Sequence, residues 1–84
     1  MEHAKRRRSA VHTTDYRYLL KRLREARRQA GLTQVQVAKA LGRPQSFVTK
    51  CELGERRIDP VDLQRFAKLY RKSLSFFLAP KRVK

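Results

Sequence analysis

Four polar residues in the second half of the chain have types and spacing suited to hydrogen bonding with nucleic-acid bases. They are Gln45, Ser46, Thr49 and Lys50, at positions i, i+1, i+4 and i+5. In a helix this spacing places them on one side and the apolar residues between them on the other. Glutamine can form two hydrogen bonds with adenine, and lysine can donate to O6 and N7 of guanine. A merely solvated face would more often carry Glu/Lys pairs, so the pattern predicts a helix that reads bases.

A break before this helix predicts how it is presented. Residues 33–41 are apolar at helical intervals, and Gly42, Arg43 and Pro44 then interrupt the pattern. Two helices joined by a turn of about three to four residues that contains Gly form a helix-turn-helix. In that motif the first helix positions the second, whose outer face meets a groove of the nucleic acid. Gly54 is expected to end the helix that carries Gln45 and Lys50.

Start and stop signals elsewhere predict an all-α fold, a compact bundle of about five short helices. Thr14 or Asp15 is expected to cap the first helix, and Gly31 to end it. Its apolar stripe repeats at helical spacing. The stripe consists of Tyr16, Leu19, Leu20, Leu23, Ala26 and Ala30. Thr33 and Gln36 have the spacing of a capping box at the start of the second helix.

Two further capping signals follow the helix-turn-helix. Asp59 is expected to cap a fourth helix, with Pro60 at its first position, where a missing N–H costs little. Ser73 is expected to cap a last short helix that ends before Pro80. Two consecutive phenylalanines cannot both face the core, so one is expected to be exposed and available for a dimer contact. This C-terminal group consists of Phe76, Phe77 and Leu78.

The charge of the chain points to a polyanionic partner. Among 84 residues there are 22 Lys and Arg but only 7 Asp and Glu, a formal net charge of +15. Soluble domains of this size usually carry a net charge of about 2–8, and a larger excess is repulsive unless a polyanion is near. The candidate partners are nucleic acid, an anionic membrane and an acidic protein. No apolar run is long enough for a membrane span or a secretory signal, so a cytoplasmic protein is expected.

Composition divides the chain into three parts. Residues 1–13 form a basic arm that contains Lys5, Arg6, Arg7 and Arg8, residues 14–79 form the folded domain, and residues 80–84 form a basic tail. The arm is either a solvated tail or a segment that binds the minor groove and phosphates. Catalysis, cofactors and metals are not expected, because no paired carboxylates, metal-ligand cluster, nucleophile–base set or phosphate loop is present. The lone Cys51 is expected to be a core residue.

Several motifs at fixed spacing resemble the Cro/C1-type (XRE-type) helix-turn-helix proteins, which include phage repressors and small bacterial regulators. The similarity covers roughly residues 16–79 and lies in "GLTQ", "VAKALG", "QSFVTKCELGERR", "LQRFAKLY" and "SLSFFL". It implies a lambda-repressor-like fold that binds double-stranded DNA, usually as a homodimer. The sequence departs from the family at Arg71, which stands where Gly often ends the fourth helix.

The resemblance also implies roles for individual residues. Gln45, Ser46 and Lys50 would meet base edges, with Thr49 close by. Phosphate contacts would come from Gln34, Arg43, Arg56 and Arg57. Arg27 and Glu52 match positions that commonly form a partly buried, structural salt bridge.

Three functions remain open on the sequence. The first is a sequence-specific transcriptional regulator, most simply a repressor, that binds the major groove as a dimer. The second is an antitoxin-like interaction module whose protein partner is a toxin and whose helix-turn-helix serves autoregulation. The third is binding to a membrane surface or to RNA through the basic first helix. This third function leaves the polar face of residues 45–50 unexplained, and helix one must also cover the core.

Overall fold

The chain forms four α-helices followed by one short 3₁₀ turn in the computed structural model, which describes residues 13–80. The helices are α1 Thr14–Gln29, α2 Gln34–Leu41, α3 Gln45–Leu53 and α4 Pro60–Tyr70, and the 3₁₀ turn is Leu74–Phe76. None of the described residues lies in a strand. The all-α prediction is confirmed, although the expected fifth helix is a single 3₁₀ turn. Most of the predicted basic arm and tail lies outside the described residues.

Side-chain caps begin three of the four helices. The Thr33 hydroxyl accepts from the Gln36 N–H at 3.1 Å and the Gln36 side-chain carbonyl accepts from the Thr33 N–H at 2.9 Å, which confirms the capping box. Asp59 caps α4, with Pro60 at the first position, as expected. The cap of α1 is Thr13, whose hydroxyl accepts from the Tyr16 N–H at 3.1 Å. The predictions of Thr14 or Asp15 were therefore wrong by one or two residues.

The break between α2 and α3 depends on one left-handed glycine. Gly42 has φ 69° and ψ 34°, and its N–H closes the last turn of α2. A side chain in this conformation would crowd the backbone, so glycine is strongly favoured. Pro44 then takes an extended conformation with φ −68° immediately before α3, where proline is well suited. Local backbone chemistry at Gly42 and Pro44 therefore ends α2 and sets the start of α3.

All four helices contribute to one apolar core. Leu23, Val37, Val48, Phe66 and Phe77 are fully buried within it. The Phe66 ring packs between the rings of Phe47 and Tyr70, at centroid distances of 6.2 and 5.9 Å. The core lies behind α3, so its packing holds the opposite, polar face of that helix outward.

The expected inner stripe of α1 stops earlier than predicted. Leu19, Leu20, Leu23 and Ala26 are buried, but Ala30 is exposed. Ala30 is the C-cap of α1 and lies beyond its last regular turn. Its helical spacing from Ala26 therefore does not bring it to the core.

Arg71 ends α4 in the left-handed conformation, with φ 61° and ψ 43°. We expect Arg71→Gly to raise the free energy of unfolding by about 0.5–1 kcal/mol, because glycine adopts this conformation without the steric cost of a Cβ. Urea unfolding of the two proteins measures the difference. Gln64→Gly, at an exposed position in the middle of α4, is the control and should lower stability by about 1 kcal/mol. A loss of stability in both variants would show that Arg71 is held by contacts worth more than its backbone strain.

Candidate nucleic-acid interface

Helix α3 presents three of the four predicted base-reading side chains to solvent. Gln45, Ser46 and Lys50 are exposed, whereas Thr49 is half-buried. The opposite side of the helix is buried and comprises Phe47, Val48, Cys51 and Glu52. The face formed by Gln45, Ser46 and Lys50 is therefore polar, and the buried opposite side fixes it in place.

Cys51 is part of this packed side. It is completely buried, and burial raises the pKa of its thiol from 9.0 to about 11. The thiol is therefore protonated and unreactive at neutral pH. Cys51 is therefore a core residue, as expected. The side chains of α3 that a ligand can reach are those on its exposed face.

An ion pair between α1 and α3 lies directly behind the exposed face. Arg27 Nε donates to Glu52 Oε2 at 2.7 Å, and Arg27 Nη2 donates to Glu52 Oε1 at 3.1 Å. The side chains are 15% and 3% exposed. These hydrogen bonds to Glu52 raise the pKa of Arg27. Because the pair is bidentate and nearly dry, it fixes the rotation of α3 relative to α1.

The same carboxylate also holds α2. Gln34 Nε2 donates to Glu52 Oε1 at 2.9 Å, and Thr49 Oγ1 donates to Gln34 Oε1 at 2.6 Å. One chain of hydrogen bonds thus runs from Arg27 through Glu52 and Gln34 to Thr49. It joins all three helices that surround the exposed face. Sequence reasoning assigned Gln34 and Thr49 separately to DNA, and it missed that they bind each other.

Two arginines share the ring of Phe47 at the other edge of the face. The guanidinium carbon of Arg43 lies 4.1 Å from the ring centroid, and that of Arg56 lies 4.9 Å from it. Arg43 Nη2 also pairs with Asp62 Oδ1 at 3.3 Å. With Ser46 and Lys50 these groups line a hollow of about 250 Å³. Three cations and a hydroxyl around such a hollow suit a phosphate group.

The loop after α3 is fastened to the start of α1. The Ile58 N–H donates to the Tyr16 hydroxyl at 3.0 Å, and the Arg57 guanidinium lies 5.8 Å from the Tyr16 ring centroid. Arg56 and Arg57 are both exposed. Arg56 lines the hollow at Phe47, whereas Arg57 lies over Tyr16 and lines a separate depression at the start of α1.

The C-terminal aromatic pair is divided between core and surface. Phe77 is fully buried in its own chain, so it is not available for contact with another chain. Phe76 is half-buried under Arg22, whose guanidinium carbon lies 3.6 Å from the ring centroid and whose Nε donates to the Phe76 carbonyl at 2.9 Å. Leu78 is 52% exposed. Of the three predicted dimer-contact residues, Leu78 is thus the one open to solvent.

Within residues 13–80, neither a membrane-spanning helix nor a metal-binding group is present. No helix in this range is long and apolar enough to cross a membrane. No group of three or more His, Cys, Asp or Glu side chains in this range is arranged to hold a metal ion.

Comparisons with known proteins agree with this architecture. A family model described as a helix-turn-helix domain matches residues 19–74. A solved structure of an XRE-family like protein from Pseudomonas syringae pv. tomato str. DC3000 is 39% identical in sequence. The alignment covers 89% of this chain and 87% of that chain, with a TM-score of 0.69. No match is found among curated proteins. The matched domain and this similarity over nearly the whole chain show that the protein belongs to the XRE-type helix-turn-helix family.

Proposed function

We propose that the protein is a sequence-specific transcriptional regulator that binds double-stranded DNA as a homodimer and acts as a repressor. Membership of the XRE family supports DNA binding. The observation that carries the specific proposal is the exposed face of α3, where Gln45, Ser46 and Lys50 stand free on a helix fixed from behind by the Arg27–Glu52 pair. A rigid helix with free donors and acceptors suits direct reading of base edges.

In this proposal α3 enters the major groove and its flanks bind phosphates. Arg43 and Arg56 line the hollow at Phe47 with Ser46 and Lys50 and would contact one phosphate there. Arg57, over the Tyr16 ring at the start of α1, would contact another. Gln34 lies at the start of α2, where unpaired N–H groups favour an anion, and its side-chain amide is oriented by Glu52 and Thr49. If a dimer makes about 6–8 such contacts, log K should fall with log[salt] at a slope of about −5 to −7.

Thr49 would contact the bases differently from Gln45 and Lys50. Its hydroxyl proton is donated to Gln34, so a base could reach only its methyl group and the oxygen lone pairs. The thymine methyl group is the base feature that such a surface accommodates. We therefore place Thr49 at the margin of the base-reading face, with Gln45 and Lys50 at its centre.

Repression would follow from occupancy. Two copies of α3, about one helical turn of DNA apart, would cover a two-fold symmetric operator and exclude polymerase from an overlapping promoter. The proposed contacts between the two copies are the exposed Leu78 and the solvent-accessible part of the half-buried Phe76.

Selection of sites from a randomised duplex pool at physiological salt tests this function. The expected result is enrichment of a symmetric site whose half-sites lie about ten base pairs apart. Enrichment of single half-sites would contradict the dimer and leave sequence reading intact. Recovery of no preferred sequence, with binding that disappears as salt rises, would show that charge alone holds the DNA and would overturn the proposal.

An antitoxin-like role is the second candidate, and exposed apolar side chains at the C-terminal end of the domain favour it. Leu74 is 42% exposed and Leu78 is 52% exposed. A toxin-like reading frame beside the gene, and a complex between the two products, would support this role over independent repression.

A further inference from the structure

A groove on the outer side of α4 combines apolar and basic side chains. Val61, Ala67 and Leu74 form its apolar part, and Arg65, Lys68 and Lys72 line it as well. Its volume is about 480 Å³. Val61 is 56% exposed and Leu74 is 42% exposed, so two large apolar side chains are left in contact with water. We call this surface the α4 groove.

The α4 groove continues onto α2. A second hollow shares Arg65 and Lys68 with it and reaches the half-buried Leu41 and Leu69. Arg65 and Lys68 are at positions i and i+3 of α4, a spacing that places them on one side of the helix. Lys72 follows the left-handed turn at Arg71, beyond the end of α4, and lines the same groove.

The α4 groove is separate from the proposed DNA-binding face. No residue of α3 or of the loop 55–58 lines either hollow. Leu78, the proposed dimer contact, lines a different depression, together with Thr13 and Arg57. The proposed regulator uses α3 and the dimer contacts at Phe76 and Leu78, and it therefore leaves the α4 groove without a role.

The positive charges of the α4 groove are unneutralised. Within residues 13–80 the ion pairs involve Arg22, Arg27 and Arg43, and none involves Arg65, Lys68 or Lys72. The Lys72 ammonium lies 4.6 Å from the Phe76 ring centroid. No carboxylate lines either hollow. A row of cations that form no ion pair, beside apolar side chains, is complementary to a surface with carboxylates beside apolar groups.

We propose that the α4 groove binds an acidic amphipathic helix of a partner protein. The partner's apolar side chains, spaced at i, i+3, i+4 and i+7, would cover Val61 and Leu74, and its carboxylates would face Arg65, Lys68 and Lys72. The proposal does not depend on sequence-specific DNA binding, because it uses a different surface of the domain.

Charge argues against a second copy of this chain as the occupant. The row of Arg65, Lys68 and Lys72 calls for a carboxylate-rich surface, and this chain has 22 basic but only 7 acidic residues from which to form one. Among the acidic residues, Glu52 and Asp62 are buried, and Glu25 is paired with Arg22. A flat anionic bilayer is also a poorer fit, because the apolar side chains line a concave groove rather than a protruding face.

Calorimetric titration with two synthetic peptides tests the proposal. The first peptide, of about 16 residues, places Leu on one helical face and Glu on the flanks of that face; the second has the same composition in shuffled order. The full-length protein is first saturated with a duplex of about 20 base pairs, which occupies the DNA-binding face and suppresses general attraction to anions. We expect the ordered peptide to bind at least about ten-fold more tightly than the shuffled one.

Three variants locate the binding site. Val61→Ser with Leu74→Ser, and separately Arg65→Glu with Lys68→Glu, should each weaken binding of the ordered peptide by at least about ten-fold. All four positions lie on the surface, and thermal unfolding verifies that the variants remain folded. The matched control is Arg17→Glu with Lys21→Glu on the exposed face of α1, which should leave the ordered peptide's affinity within about two-fold of the parent.

Four results would overturn the proposal. They are equal affinity for both peptides, an equal loss in the control variant, binding of the ordered peptide to the free protein but not to the duplex-saturated protein, and binding of phosphatidylglycerol vesicles in place of the ordered peptide. Binding to the free protein alone would mean that the peptide occupies the DNA-binding face. Vesicle binding that the groove variants abolish would identify the surface as a lipid site.

Discussion

Replacing Glu52 by alanine is expected to lower the free energy of unfolding by about 3 kcal/mol. The carboxylate is 3% exposed and accepts hydrogen bonds from Arg27 and Gln34. Its removal leaves a guanidinium that is 15% exposed without its counter-charge, and it leaves the Gln34 amide N–H without its acceptor. Urea unfolding monitored by circular dichroism at neutral pH measures the loss.

The control for this change is Glu55→Ala. Glu55 is an exposed carboxylate just after α3, and within residues 13–80 it forms no ion pair. Its removal should change stability by no more than about 0.5 kcal/mol. A loss below about 1 kcal/mol for Glu52→Ala would contradict the interpretation, because it would mean that water readily replaces the carboxylate. Glu52→Gln, which keeps the shape but not the charge, should fall between the parent and Glu52→Ala.

Replacing Lys50 or Gln45 by alanine is expected to weaken binding to the selected DNA site by about 1–3 kcal/mol, roughly 5- to 150-fold in Kd. Both side chains are exposed on α3, so their truncation removes hydrogen bonds to bases while leaving the core intact. Each variant should also accept base changes in the half-site that the parent protein rejects. Titration of the parent and variant proteins against a panel of single-base substitutions measures both effects.

Lys68→Ala is the matched control for Lys50→Ala. Lys68 is also an exposed lysine, but it lies on the outer side of α4. Its removal changes the net charge equally and should weaken binding to all sequences slightly and to the same extent. An unchanged base preference in both Gln45→Ala and Lys50→Ala would remove these residues from the base-reading role. Family membership would stand, and the specificity would then have to come from DNA shape.

Local signals in the sequence determined where most helices begin and end. The capping box at Thr33, the proline after Asp59 and the glycine at position 42 act over about three to four residues, so they need no knowledge of the fold. The separation of polar Gln45 and Lys50 from the buried side of α3 is equally local, because it follows from helical periodicity. These features are sufficient for the helix-turn-helix and for its exposed polar face.

Contacts between distant residues were decided by the tertiary structure. Asp62 meets Arg43 across 19 positions, and Gln34 meets Thr49 across 15 positions. The separation of the two residues along the sequence does not predict either contact, because each depends on how the helices pack across the apolar core. The Arg27–Glu52 pair, separated by 25 positions, was anticipated through the family resemblance rather than through spacing.

The sequence also could not predict which of the two phenylalanines is buried, or that the α4 groove exists. Periodicity required Phe76 and Phe77 to diverge, but only the path of the 3₁₀ turn sends Phe77 into the core and leaves Phe76 under Arg22. The α4 groove likewise arises because Leu74 returns beside α4 after the left-handed turn at Arg71. The sequence by itself therefore determined the helices and the chemistry of their faces. The packing of those helices decided which side chains meet and which remain free, because burial is a property of the assembled core.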